Sequence, residues 1–133
     1  MNGTCHCGQL SIRLPEPPAF LNLCNCTVCT KLGTMWGYYD PSVVEIDGAP
    51  STYMRADVDS PTLTFHFCGA CGSTTHWSSR DLSVEQVGIN MRLFEPSSLS
   101  GIEVRYGDRR TYAKGSRRYY REPTIFSETG AAA

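Results

Sequence analysis

"FCGACGS", residues 67–73, sets two cysteines three positions apart with a glycine after each. Two thiolates at that spacing grip one tetrahedral ion at about 2.3 Å each, and the glycines let the turn aim backbone N–H groups at sulfur. This is the form of a zinc knuckle, and it implies a fold organised around metal. A knuckle is half a site. The other half must come from elsewhere among the seven cysteines.

Those cysteines fall into three groups: Cys5 and Cys7, then Cys24, Cys26 and Cys29, then Cys68 and Cys71. An odd count argues against a disulfide framework. The opening stretch "MNGTCHCGQL" has neither a basic n-region nor an apolar h-region, so it does not read as a signal peptide. No run approaches the roughly 18 apolar residues of a membrane span. The expected address is the cytoplasm, where thiols stay reduced and crowded cysteines hold metal.

Spacing alone admits two partitions. Cys5 and Cys7 with Cys24 and Cys26 also match a two-plus-two zinc pattern, but that choice leaves Cys29 to reach across alone. The economical partition is four plus three. Cys5, Cys7, Cys68 and Cys71 close one site; Cys24, Cys26 and Cys29 form a tripod at a second, open one. Both sulfurs of an extended Cys–x–Cys segment point the same way, so His6 and Asn25 should face away from their metals. His66 and His76 are fourth ligands by residue type, and as strand residues they are expected to hydrogen-bond elsewhere.

Around these motifs the pattern is mostly β. "QLSIRLP" alternates Leu10, Ile12 and Leu14 on one face, a strand signature. "MWGYYD", "SVVEIDG", "STYMRAD", "TLTFHFC" and "VEQVGINMRLF" are short runs rich in aromatic and β-branched residues. "TVCTKLG" suggests one short helix, capped by Asn25 or Thr27, with Val28 and Leu32 sharing a face and Gly33 ending it. The expected class is therefore mostly β, short antiparallel strands with one short helix after the Cys triplet.

With 133 residues, 41% hydrophobic and 19% charged, the chain is long enough for one core without disulfides. Residues 1–121 are expected to form a single zinc-binding domain and residues 122–133 a C-terminal tail. The net charge of −1 hides an asymmetry: residues 101–121 hold Arg105, Arg109, Arg110, Lys114, Arg117, Arg118 and Arg121 against Glu103 and Asp108. Such a stretch can attract phosphate or an acidic small molecule. The plainer expectation is a solvated C-terminal edge.

"GTCHCGQL", "CNCTVC" and "FCGACGS", in that order, resemble the glutathione-dependent formaldehyde-activating enzyme family, which includes centromere protein V. The resemblance runs from about Gly3 to the strand near residue 94 and covers all seven cysteines. It implies a β-tent, small antiparallel sheets meeting at a structural zinc held by Cys5, Cys7, Cys68 and Cys71. It also implies a catalytic zinc held by Cys24, Cys26 and Cys29, hence two zinc ions per chain. Two positions depart from the family: Asn25 stands where a His is common, and Thr30 where an Arg is common. Neither is a ligand, so these departures bear on substrate identity.

Charge counting separates the two sites. Four thiolates saturate Zn²⁺, so that site only holds the fold. Three thiolates leave a fourth position and make a poor carbonyl activator but a good acceptor for an incoming thiol, which coordination deprotonates. Together with the resemblance this implies a carbon–sulfur lyase acting on aldehyde–thiol adducts, with glutathione or a similar small thiol and a small aldehyde as partners. Tyr38, Tyr39, Asp40 and His76 are candidate proton-transfer groups, and Trp36, Tyr38 and Tyr39 candidate pocket walls. The competing readings are a zinc-stabilised module that docks protein or nucleic acid, and a redox switch in which the triplet oxidises. Near-neutral charge and a triplet without a fourth ligand argue against the docking module, and nucleic acid is not the expected partner.

Overall fold

The computed structural model describes residues 1–110 and 118–129. Strands β1 (Asn2–Thr4), β2 (Ser11–Arg13) and β5 (Glu45–Asp47) form a small antiparallel sheet in the order β1-β2-β5. The larger sheet is built from β3 (Leu21–Asn22), β4 (Trp36–Tyr39), β6 (Ser51–Tyr53), β7 (Leu63–Phe67), β8 (Thr74–Ser79), β9 (Val87–Asn90), β10 (Glu103–Arg105) and β11 (Thr124–Ile125). Its order is β11-β10-β3-β4-β9-β8-β7-β6. Its pairings are antiparallel except β10 with β3, which run parallel. The class is thus mostly β, as the short aromatic and β-branched runs imply.

Alternation along β4 positions the site. Trp36 and Tyr38 point to one face, where Trp36 packs with Cys26, Cys29, Phe65 and Trp77. Tyr39 points to the other face and joins the main core of Ile12, Leu14, Leu21, Ile89, Met91 and Val104. One strand therefore divides the molecule into a site side and a core side, a direct consequence of its period of two. Gly88 makes the site side possible. It pairs with Trp77 across β8 and β9, and a Cβ there would lie 2.0 Å from Trp77 Nε1. Any larger residue would evict the indole.

The helix, α1 (Thr27–Leu32), starts inside the triplet rather than after it. Its N-cap is Cys26, whose sulfur accepts from the Cys29 N–H; this corrects the expectation of Asn25 or Thr27. Gly33 closes it in the left-handed conformation, its N–H donating to the Cys29 carbonyl. Val28 is buried while Leu32 is exposed, so the expected shared face is only half realised.

The segment expected to be a tail from residue 122 enters the fold. Thr124 pairs with Val104, and Phe126 is 7% exposed within the main core. No described helix is long and apolar enough to cross a membrane.

Candidate metal centres

The first cluster joins the two sheets. Cys5 and Cys7 follow β1, while Cys68 and Cys71 sit in the β7–β8 turn, whose Gly72 N–H donates 2.7 Å to the Cys68 carbonyl with φ at +80°. The four sulfurs lie within 4.8 Å of one another, with Cys5 to Cys7 at 3.7 Å and Cys7 to Cys68 at 3.6 Å. Sulfurs bound at about 2.3 Å to one tetrahedral zinc lie roughly 3.8 Å apart, so this arrangement fits that ion. The Leu10 N–H donates to Cys5 Sγ at 3.3 Å, and Cys71 Sγ lies 3.3 Å from Ser73 Oγ.

The second cluster is Cys24, Cys26 and Cys29, again within 4.8 Å of one another. Each sulfur takes one N–H: Cys24 from Cys26 N at 3.4 Å, Cys26 from Cys29 N at 3.4 Å, and Cys29 from the Trp36 indole at 3.3 Å. Such donors favour thiolate over thiol. Three thiols in contact cannot all ionise by themselves. Hydrogen bonds from Cys24 and Cys29 pull Cys26 down to about 2, while Cys24 and Cys26 push Cys29 far up. A dication resolves that conflict, and the donor set fits zinc with one position left over.

The triplet lines a cavity of about 900 Å³. Aromatic walls come from Phe20, Trp36, Tyr38, Phe65, Trp77 and Tyr119. Trp36 and Tyr38 were legible as walls from the sequence. Tyr39 was not correctly read: its ring packs in the main core and its hydroxyl donates to the Glu16 carbonyl at 2.8 Å. Among the candidate proton-transfer groups, Tyr38 alone lines the cavity. Asp40 caps the turn at Pro41–Val43 through the Ser42 N–H, and His76 stacks on His66 at 4.0 Å between ring centres. Neither histidine joins a metal cluster. His6 is exposed, and the Asn25 side chain turns to residues 108–110, both as the Cys–x–Cys geometry requires.

Tyr38 Oη accepts from Asn22 Nδ2 at 2.6 Å, and burial pushes its hydroxyl up to about 12. It therefore keeps its proton and can donate it. Phe65 and Trp77, missed as site residues, face the cavity from paired positions of β7 and β8. The alternation of Leu63 and Phe65 in "TLTFHFC" was the available signal. Arg109, Arg110 and Arg118 are exposed, as a solvated edge requires, and they also line the cavity together with Arg55. Arg105 lies over the Phe20 ring at 3.9 Å and Arg121 over Tyr106 at 4.5 Å. Lys114 and Arg117 lie outside the described residues.

Comparison with known proteins agrees with this geometry. A Halomonas elongata protein provisionally named glutathione-dependent formaldehyde-activating enzyme is 33% identical over 82 residues, 55% of this chain and 52% of the relative. The chain thus matches about half the length of that relative. A crystal structure of a Rhodobacter sphaeroides protein superimposes with a TM-score of 0.59 at 30% identity, covering 71% of this chain and 88% of the other. The profile of the family described as glutathione-dependent formaldehyde-activating enzyme matches residues 1–104. With seven cysteines gathered into two clusters, one of them open to an aromatic cavity, the chain belongs to that family.

Proposed function

We propose that the chain catalyses reversible addition of a small thiol to a small aldehyde, as a carbon–sulfur lyase of the formaldehyde-activating type. The observation that carries this reading is the three-sulfur cluster in the wall of a cavity of about 900 Å³. In this proposal Cys24, Cys26 and Cys29 hold a catalytic zinc, and Cys5, Cys7, Cys68 and Cys71 a structural one. A zinc held by these three sulfurs would supply an open position at which a thiol could bind as its thiolate. The single domain, two zinc ions, glutathione or a similar thiol, and a cytoplasmic address complete the reading.

In the addition direction sulfur attacks the aldehyde carbon. The C–S bond forms, the carbonyl π pair moves to oxygen, and the proton given up by the thiol ends on that oxygen. The reverse step returns the proton and frees the aldehyde. Tyr38 is the residue placed to hand over this proton, because Asn22 occupies a lone pair on its oxygen and leaves the O–H to the cavity. The Trp36, Cys26 and Cys29 N–H donors spread charge on the triplet sulfurs and fix their directions. Phe65 and Trp77 exclude water from the reacting carbon.

Exchange between ¹³C-formaldehyde and its S-hydroxymethyl adducts, followed by NMR with glutathione and several other small thiols, tests this directly. Catalytic protein should speed exchange with at least one thiol, and Cys26→Ser should abolish the acceleration. Exchange at the uncatalysed rate with every thiol, in protein carrying two zinc ions, would remove the lyase reading.

A further inference from the structure

We infer that the aldehyde taken by this cavity carries an apolar substituent, and that a single planar ring suits the wall beside the triplet best. This deepens the proposed function, on which the reaction itself rests.

The surroundings of the triplet are apolar. Cys26 and Cys29 share one cluster with Trp36, Phe65 and Trp77, and Tyr38 and Leu63 pack against it. The rings follow one another along the wall. Trp36 and Phe65 have centres 6.2 Å apart at 40°, Phe65 pairs with Trp77 across β7 and β8, and Trp77 lies 6.0 Å from Tyr38 at 53°. Phe20 extends the series, 5.7 Å from Tyr38 at 54°. None of these contacts is a flat stack, so ring faces and edges alternate, and a further ring can pack on such a surface by edge or offset face. Phe20, Tyr38 and Leu63 are only half-buried and line the cavity, which leaves part of this apolar surface open to a ligand.

The polar lining nearest the triplet in sequence is occupied with itself. Thr27 donates to Asp57, and Arg55 donates to Asp57 through Nε at 2.7 Å and Nη2 at 2.9 Å and to Thr27 Oγ1 at 2.9 Å. On the ring side the polar group is the Tyr38 hydroxyl, fixed by Asn22 at 2.6 Å. A one-carbon aldehyde is a hydrated, polar molecule in water and gains little from a row of rings. An aldehyde with an apolar substituent takes its own surface and that of the wall out of water together, which favours entry in proportion to the area covered. A cavity of about 900 Å³ has room for a ring beside a thiol. The chemistry is the addition already described. The C–S bond forms at the aldehyde carbon, the carbonyl π pair moves to oxygen, and the thiol proton ends on that oxygen, with the substituent unchanged.

The competing account is that the rings only keep water from the reacting carbon, which predicts no dependence on the substituent. Exchange of formaldehyde, acetaldehyde and phenylacetaldehyde with their adducts of glutathione and of 2-mercaptoethanol, followed by NMR on the full zinc-loaded chain, separates the two. Each rate is divided by its uncatalysed rate, at aldehyde concentrations below saturation. Acceleration should be about tenfold or more greater for phenylacetaldehyde than for acetaldehyde. Phe65→Leu, which keeps an apolar side chain but removes a ring, should lower that ratio, as should Leu63→Gln, with zinc content and circular dichroism confirming the fold. Benzyl alcohol, a ring without a carbonyl, should show saturation transfer from the protein, and ethanol should not. A ratio near one in the unaltered protein, or a ratio that neither substitution lowers, would overturn the inference. Acceleration of no aldehyde, with benzyl alcohol still bound and weakened by Phe65→Leu, would instead sink the lyase reading and leave the apolar subsite standing. Acceleration of no aldehyde and no bound benzyl alcohol would remove both.

Discussion

His66 and His76 face each other across β7 and β8 with their rings stacked, 4° from parallel. His66 Nε2 lies 2.8 Å from Ser78 Oγ, and His76 Nδ1 lies 3.0 Å from Thr75 Oγ1. Polar partners within the sheet, not metal, explain two of the three histidines. Burial first, and the neighbouring His66 ring second, bring His76 down to about 3; burial also lowers His66. The neutral imidazole is thus the folded form, whereas an unfolded histidine titrates near 6.5. Between about pH 6.5 and 3 the unfolded chain takes up protons that the folded chain refuses. Stability from these rings is complete above about 6.5 and lost on acidification. Urea unfolding of zinc-checked protein from pH 7.5 to 5 should show that decline, and His76→Gln should make it shallower. Identical slopes in both proteins would mean that His76 has no part in the acid sensitivity.

At the scale of elements, what the sequence revealed and what it hid have separate physical causes. Strict spacing made the metal groups legible, since Cys–x–Cys and Cys–x–x–Cys leave few geometries for convergent sulfurs. The alternation of Leu10, Ile12 and Leu14 likewise revealed β2 and its buried face. Strand β8 was hidden because Thr74, Thr75, His76 and Trp77 are all buried, so no period of two shows. The parallel pairing of β10 with β3 was hidden for another reason: Val104 and Leu21 meet over a separation that no local pattern reports. Helix α1 shows both sides. Its position was readable, but its cap was not, because cysteine is not an expected N-cap and here the cap is also one of the three clustered thiols. That double role makes a prediction. Cys26→Ser replaces the cap with a better one and removes a ligand, so helix content should persist while zinc falls from two ions to one per chain. Circular dichroism with elemental analysis checks it, and retention of both ions would mean that Cys26 is not a ligand.

Across the whole molecule, the four-cysteine cluster links the two sheets in addition to the core in which Ile12 and Leu14 pack with Leu21 and Ile89. Cys7 and Cys68 meet across 61 residues, so an ion there closes a long loop and fastens the β1-β2-β5 sheet to the β7–β8 hairpin. Such a clip acts on the unfolded chain as well as the folded one, and structural zinc contributes directly to folding free energy. The triplet does something different. Its three cysteines lie within six residues at one helix start, so an ion held there would leave without opening a sheet or freeing a long loop. The packing of Trp36, Phe65 and Trp77 remains to hold that side. Stepwise chelation should therefore release zinc in two phases. The first ion should leave with folded signal intact, since three ligands hold it less tightly than four. The second should leave only as the domain unfolds. Cys68→Ala should reproduce the second phase alone, costing several kcal/mol or preventing folding. Chelator titration read by zinc release and far-ultraviolet circular dichroism together distinguishes the phases. Loss of both ions in one step that coincides with unfolding would show that the triplet also holds the architecture together.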